Sequence, residues 1–79
     1  MINKSPIIDN LIGKNFRARY QGTNHWEVMF AECRCTDEGE LSFCSNILRC
    51  RMYDEFGQFT TKAALIGEEM LEKCEIKIF

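Results

Sequence analysis

The amino-acid sequence predicts a mainly β protein, an antiparallel meander of about six short strands that curls toward a small barrel after a short N-terminal helix. Apolar and polar residues alternate along several segments, as they do in strands with one buried face. Turn-forming residues recur near positions 22, 38, 46, 56 and 68, the spacing of a meander. The chain has 79 residues, 46% hydrophobic and 28% charged, which indicates a single folded domain over residues 1–79.

Residues 1–13 are predicted to contain the short helix, and residues 14–79 the β meander. Ser5 can cap the first helical turn, and Pro6 has the backbone conformation of a first helical position. Gly13 suits the left-handed conformation that ends a helix.

The first two strands are predicted at residues 14–20 and 26–35. Along the second, apolar residues occupy first even positions and then odd ones, so that Glu32 and Arg34 are expected to face away from the core. Either a bulge near residues 28–31 exchanges the faces, or a long curved strand is covered on different sides.

Further strands are predicted at residues 41–44, 47–53 and 74–79. Residues 60–74 leave two alternatives. Apolar residues at spacings of three or four fit a helix, which would make the fold a β-rich α+β one, whereas Gly67 and the β-branched residues favour two strands.

The cysteines indicate a cytoplasmic protein with reduced thiols. Their number is odd, and the N-terminal residues lack the pattern of a signal peptide. The five are Cys33, Cys35, Cys44, Cys50 and Cys74. No apolar run approaches the ~20 residues of a membrane-spanning helix, so a membrane is not an expected partner.

A metal site is not expected, although zinc prefers thiolate ligands. Cys33 and Cys35 lie about 7 Å apart along an extended strand. Two sulfurs on one zinc must lie within about 4 Å of each other. The cysteines are therefore predicted to fill buried positions.

Catalysis and cofactor binding are not expected either, and the protein is predicted not to be an enzyme. His25 is the only histidine, and nothing in the sequence places a nucleophile beside it. Acidic residues gather mostly in turns, and the glycines are scattered singly instead of forming a phosphate-binding loop.

The arginines provide the candidate site, because all five fall within predicted strands, opposite the apolar positions. If these strands share a sheet, guanidinium groups cluster on its outer face, where they can bind carboxylates and phosphates and stack on aromatic rings. We predict the binding residues Arg17, Arg19, Arg49, Arg51 and Tyr53. The alternative is a solvated face on which the arginines pair with Glu27, Glu32 or Glu75.

The expected function is that of a non-catalytic binding module, such as an inhibitor, adaptor or regulatory subunit, which grips the acidic surface of another protein. The formal net charge of -2 has the wrong sign for a general nucleic-acid binder, so nucleic acid is not the expected partner. A homodimer is an alternative assembly, because a domain of this size has little core.

The alternative function is small-ligand binding in an aromatic, lipocalin-like barrel interior completed by dimerisation. The residues Gly13, Lys14, Phe16, Tyr20 and Gly22, with the run from Trp26 to Phe30, resemble the opening hairpin of lipocalin-like small barrels of the phenolic acid decarboxylase type. The likeness covers a small part of the chain, and no functional residue is transferred from it.

Overall fold

Seven elements of secondary structure build the protein in the computed structural model, which describes residues 5–79. They are α1 (Pro6–Leu11), β1 (Asn15–Tyr20), β2 (Glu27–Cys35), β3 (Ile47–Tyr53), β4 (Phe59–Gly67), α2 (Glu68–Glu72) and β5 (Cys74–Ile78). The first four residues of the predicted N-terminal segment lie outside the described residues. The predicted short helix is confirmed as α1, with the backbone N–H of Ile8 donating to Ser5 Oγ and with Gly13 at a φ of +82°.

All five strands form one antiparallel sheet in the order β4-β3-β2-β1-β5. The first four form a meander, and β5 returns to pair with β1. The prediction of a mainly β, antiparallel fold is confirmed. The sheet is open, with β4 and β5 as its edges, and it is not closed into a barrel.

The strand predicted at residues 41–44 is wrong. Leu41 makes a single bridge to Cys35, and the chain then turns, with the N–H of Ser45 donating to the carbonyl of Ser42. Leu41 is 61% exposed and Phe43 is 74% exposed. The segment has no buried face to hold it against the sheet.

The ambiguous segment at residues 60–74 combines the two alternatives. β4 extends to Gly67, and the short helix α2 follows immediately and places Leu71 in the core. The β-branched residues of the first half, Thr60, Thr61 and Ile66, favour the sheet. The second half is a run of helix-forming residues, with Glu68 and Glu69 near the positive end of the helix.

The core lies on one face of the sheet, under the two helices. Its members come from the inward positions of three strands and from both helices: Ile8, Leu11, Phe16, Ala18, Met29, Ala31, Leu48, Cys50 and Leu71. We call this the helix-covered face and the opposite one the open face. Alternation along each strand assigns neighbouring residues to opposite faces.

The predicted bulge near residues 28–31 is wrong: the pairing is regular there, with Met29 and Ala31 in the core and Val28 and Phe30 on the open face. β2 instead has a bulge between Ala31 and Cys33, which turns even-numbered positions toward the core. Beyond the bulge Arg34 pairs with Leu48, which is fully buried on the helix-covered face. The expectation that Arg34 faces away from the core is therefore wrong. Its side chain is only 7% exposed.

The buried Arg34 connects three parts of the fold. One terminal nitrogen donates to Asp9 Oδ1 of α1 at 2.6 Å, and the other donates to the carbonyl of Ser45 at 3.0 Å. A buried charge is tolerated only when it is paired and hydrogen-bonded, so these contacts fix α1 and the segment before β3 against β2.

Within residues 5–79, neither helix is long or apolar enough to cross a membrane.

The substitution Asp9→Asn should lower the free energy of unfolding by about 1–2 kcal/mol, because Arg34 loses its charged acceptor while Asp9 itself is partly solvated. Urea unfolding followed by circular dichroism measures the loss. Glu38→Gln, which alters an exposed carboxylate in a turn, is the matched control and should change stability little. Equal stability of the two variants would contradict the tethering role.

Candidate functional site

The open face carries all five predicted binding residues. Arg17 and Arg19 point away from the helices because Phe16 and Ala18 point toward them. The strand pairings place the remaining side chains on the same side. The residues that project there from β1, β2, β3 and β5 are Asn15, Arg17, Arg19, Val28, Phe30, Glu32, Cys33, Cys35, Ile47, Arg49, Arg51, Tyr53, Glu75 and Lys77.

Trp26, which immediately precedes β2, lies against a group of cations on β1 and β5. Its ring centroid is 5.1 Å from Arg17 Cζ, 5.4 Å from Arg19 Cζ and 5.4 Å from Lys77 Nζ. The indole thereby makes cation–π contacts that hold the long side chains in place. We call Arg17, Arg19, Trp26 and Lys77 the Trp26 cluster.

Glu75 neutralises one charge of the Trp26 cluster. It lies opposite Arg19 on β5 and accepts a hydrogen bond of 2.6 Å from the guanidinium. This hydrogen bond, more than the nearby charges of Arg19, Lys77 and Arg17, holds the pKa of Glu75 below its usual range. Glu75 is therefore ionised at neutral pH, and the cluster with Glu75 carries two uncompensated positive charges.

Arg17 and Lys77 are those uncompensated charges. They are direct cross-strand partners, and no carboxylate of residues 5–79 lies within ion-pair distance of either one. Arg17 Nε is buried without a hydrogen-bond partner, and the guanidinium also lies 6.0 Å from the centroid of the Phe79 ring. Like charges in directly opposite positions destabilise a sheet.

The second half of the open face is more nearly neutral. Glu32 lies between two arginines, with Oε1 at 2.9 Å from Arg51 Nε and Oε2 at 3.6 Å from Arg49 Nε. Arg49 also donates to the carbonyl of Gly39 at 3.3 Å. Of the three glutamates that the sequence offered as partners of the arginines, Glu32 and Glu75 do pair with arginines. Glu27 instead pairs with His25 and lies on the helix-covered side.

Aromatic rings surround this second half. Phe59 of β4 stacks on Tyr53 with centroids 4.4 Å apart, meets Phe30 edge-on at 6.2 Å and lies 5.1 Å from Arg51 Cζ. The Tyr53 hydroxyl donates to Asn15 Oδ1. Tyr53 is therefore fixed by a ring contact and a hydrogen bond, and Phe59 remains 48% exposed.

The sequence missed four contributors to this face: Trp26, Phe59, Lys77 and Phe79. The alternation of residues 74–79 shows that Lys77 and Phe79 share a side, but not which strand they join. Only the pairing of β5 with β1 brings Lys77 to Arg17. Phe59 lies just after a turn, where the alternation signal has not yet begun.

A groove on the helix-covered side is a further concave feature. It has a volume of about 380 Å³ and a predominantly apolar lining. The lining includes Met29, Met52, Ala64, Ile66, Met70 and Leu71, with the His25–Glu27 pair at 2.7 Å nearby. Tyr20 contributes an aromatic ring to this lining, and within residues 5–79 Phe16 is the only aromatic member of the buried core.

The cysteines do not form a ligand set in the part of the chain that the structure describes, where no group of three or more His, Cys, Asp or Glu side chains is placed to hold a metal ion. Cys35 and Cys50 are fully buried, as predicted, whereas Cys44 is exposed and Cys33 and Cys74 are half-buried. Burial raises the pKa of the Cys50 thiol to about 12 and also raises the pKa of Cys35. These two thiols stay protonated at neutral pH and are poor nucleophiles.

No protein-family model, curated protein or solved structure matches this chain.

The Glu75 carboxyl should titrate below the usual range of a glutamate, and Arg19→Gln should raise its midpoint, because the hydrogen bond to the carboxylate is lost. NMR of the side-chain carboxyl carbon measures both midpoints. A lowered folded-state pKa contributes stability above the unfolded pKa, and this contribution is lost as the pH falls through the folded pKa. The part of the stability difference that comes from the Arg19–Glu75 hydrogen bond should therefore be present at pH 7 and be lost in acid, so that the difference becomes smaller. Identical midpoints would contradict the assigned contact.

Proposed function

We propose that this protein is a non-catalytic binding module that uses its open face to grip the acidic surface of a partner protein. One observation carries the proposal: the strands project five cationic side chains and two carboxylates on this face. The whole chain has a net charge of -2, so the remaining surface is acidic. Such a separation of charge steers an acidic partner to one side of the molecule.

The arrangement of the cations supports binding to a protein surface. The arginine side chains are held by ring contacts or hydrogen bonds before any partner arrives, which reduces the entropy lost on binding. Tryptophan, tyrosine and arginine are also the residues that dominate the energy of protein interfaces. Exposed apolar side chains, among them Val28 and Phe59, provide area to bury between the charges.

Nucleic acid is the less favoured partner for two reasons. Glu32 and Glu75 stand among the cations, where they would repel a phosphate backbone. The overall charge is negative as well.

Binding of a defined acidic peptide tests the proposal. A labelled peptide in which glutamate alternates with leucine and phenylalanine should bind with an affinity that falls as NaCl is raised, measured by fluorescence anisotropy. Arg19→Glu with Arg51→Glu should weaken binding by at least about tenfold, because two cations become repulsive charges. Circular dichroism verifies that the variant is folded.

Lys62→Glu with Lys73→Glu is the matched control, since it changes the net charge equally at residues outside the open face. This control should leave binding within about twofold of the parent. Equal losses in the two double variants, or tighter binding of single-stranded RNA than of the peptide, would refute the proposal.

A second candidate function is binding of a small apolar molecule, and the groove of about 380 Å³ favours it. Its methionines can adapt to irregular shapes. A panel of apolar metabolites in a thermal shift assay tests it: a ligand should raise Tm, and Ala64→Trp, which fills the groove, should abolish the shift. Persistence of the shift in that variant would exclude the groove as the site.

A further inference from the structure

We infer that Arg17 and Lys77 form a subsite for a single carboxylate, which an aspartate or glutamate side chain of the acidic partner occupies. The inference rests on the proposed function and identifies the part of the open face where the partner is anchored. It is drawn from the unmet charge, the burial and the strand register of these two residues.

Unmet charge distinguishes Arg17 from the other arginines in the described part of the chain. Arg19, Arg34, Arg49 and Arg51 each reach a carboxylate oxygen. Arg17 reaches none, and its direct cross-strand partner is the cation Lys77. Because like charges in this position destabilise the sheet, an anion bound between them would stabilise it.

Partial burial strengthens the attraction for such an anion. The ring of Trp26 lies 5.1 Å from Arg17 Cζ and that of Phe79 lies 6.0 Å away, and Arg17 Nε is removed from solvent without gaining an acceptor. Rings that exclude water lower the local dielectric, so that a charge arriving at the guanidinium interacts more strongly than at an exposed side chain.

The neighbouring cross-strand pair shows what chemistry fits. Two residues along the same two strands, and on the same face, Arg19 lies opposite Glu75, whose carboxylate accepts a hydrogen bond of 2.6 Å from the guanidinium. Opposite Arg17 the strand register places Lys77, whereas a carboxylate there would form the same kind of ion pair as Arg19 and Glu75. Directly opposite side chains have Cβ atoms about 5 Å apart, a gap that the two oxygens of one carboxylate can bridge.

The surroundings favour a carboxylate on a peptide over a phosphate. Val28 lies opposite Arg17 on its other side, and Phe79 is 71% exposed. These apolar groups can contact the aliphatic stem of a glutamate and an apolar residue beside it in the partner. A phosphate backbone offers no such stem, and Glu75 would repel its successive charges.

The decisive variant is Lys77→Glu, which supplies within the chain the carboxylate that the partner would bring. The variant should unfold at a Tm higher by roughly 2–5 °C, because a repulsive pair becomes an attractive one. It should also bind the glutamate-containing probe peptide at least about tenfold more weakly, because the subsite is already occupied. Lys62→Glu, with the same change of charge on β4, should show neither effect.

A second measurement localises the contact. Arg17→Gln should weaken binding of the peptide. The glutamates of the peptide are then replaced one at a time by glutamine, and each peptide is tested against the parent protein and the Arg17→Gln variant. At one position the replacement should lower the affinity of the parent protein but not lower that of the Arg17→Gln variant any further. This coupling identifies the carboxylate that reaches the subsite.

The outcomes separate the subsite from the proposed function. If the Arg19→Glu and Arg51→Glu double variant loses the peptide but Lys77→Glu retains it, or if Lys77→Glu does not raise Tm, the subsite is refuted and the binding face stands. If inorganic phosphate or single-stranded RNA competes for Arg17 more strongly than the peptide, the carboxylate assignment is refuted. If the parent binds no acidic peptide, the proposed function itself fails.

Discussion

The extra residue that β2 accommodates between Ala31 and Cys33 is the constraint on which the rest of the structure depends. Without it, alternation would place Arg34 on the open face together with Glu32. With it, Arg34 turns inward and reaches Asp9 of α1, while Glu32 still faces outward between the two arginines of β3. One local irregularity therefore tethers the N-terminal helix through Arg34 and leaves Glu32 on the open face, where it pairs with Arg49 and Arg51.

The two faces of the sheet consequently have opposite chemistry. Small and medium apolar side chains fill the core on the helix-covered side, and among the buried residues of the described range 5–79 Phe16 has the only aromatic ring. Most aromatic rings instead stand on or beside the open face, where they contact arginines and each other. These rings hold the arginine side chains in place on the open face, which would lower the entropy lost if the proposed partner binds there.

Within that surface the charges are unevenly balanced. Glu32 serves two arginines and Glu75 serves one, but the pair formed by Arg17 and Lys77 is left without an anion from residues 5–79. Repulsion between neighbouring strands costs stability, and a small domain has little stability in reserve. Under the proposed binding function, a partner that supplies the missing anion would offset this cost, because the same positive field that the free protein tolerates would attract a carboxylate.

Local signals in the sequence by themselves determined the helix start at Ser5, the inward and outward sides of most strands, and the alignment of four arginines with Tyr53. Side-chain alternation and capping involve only near neighbours along the chain, which is why these features could be predicted. Tertiary structure alone decided that residues 41–44 turn away from the sheet, that α2 follows β4, and that β5 joins β1 so that Lys77 faces Arg17. Strand order and register depend on contacts between residues far apart in sequence, and the period of two that reveals a strand's faces contains no information about its neighbour.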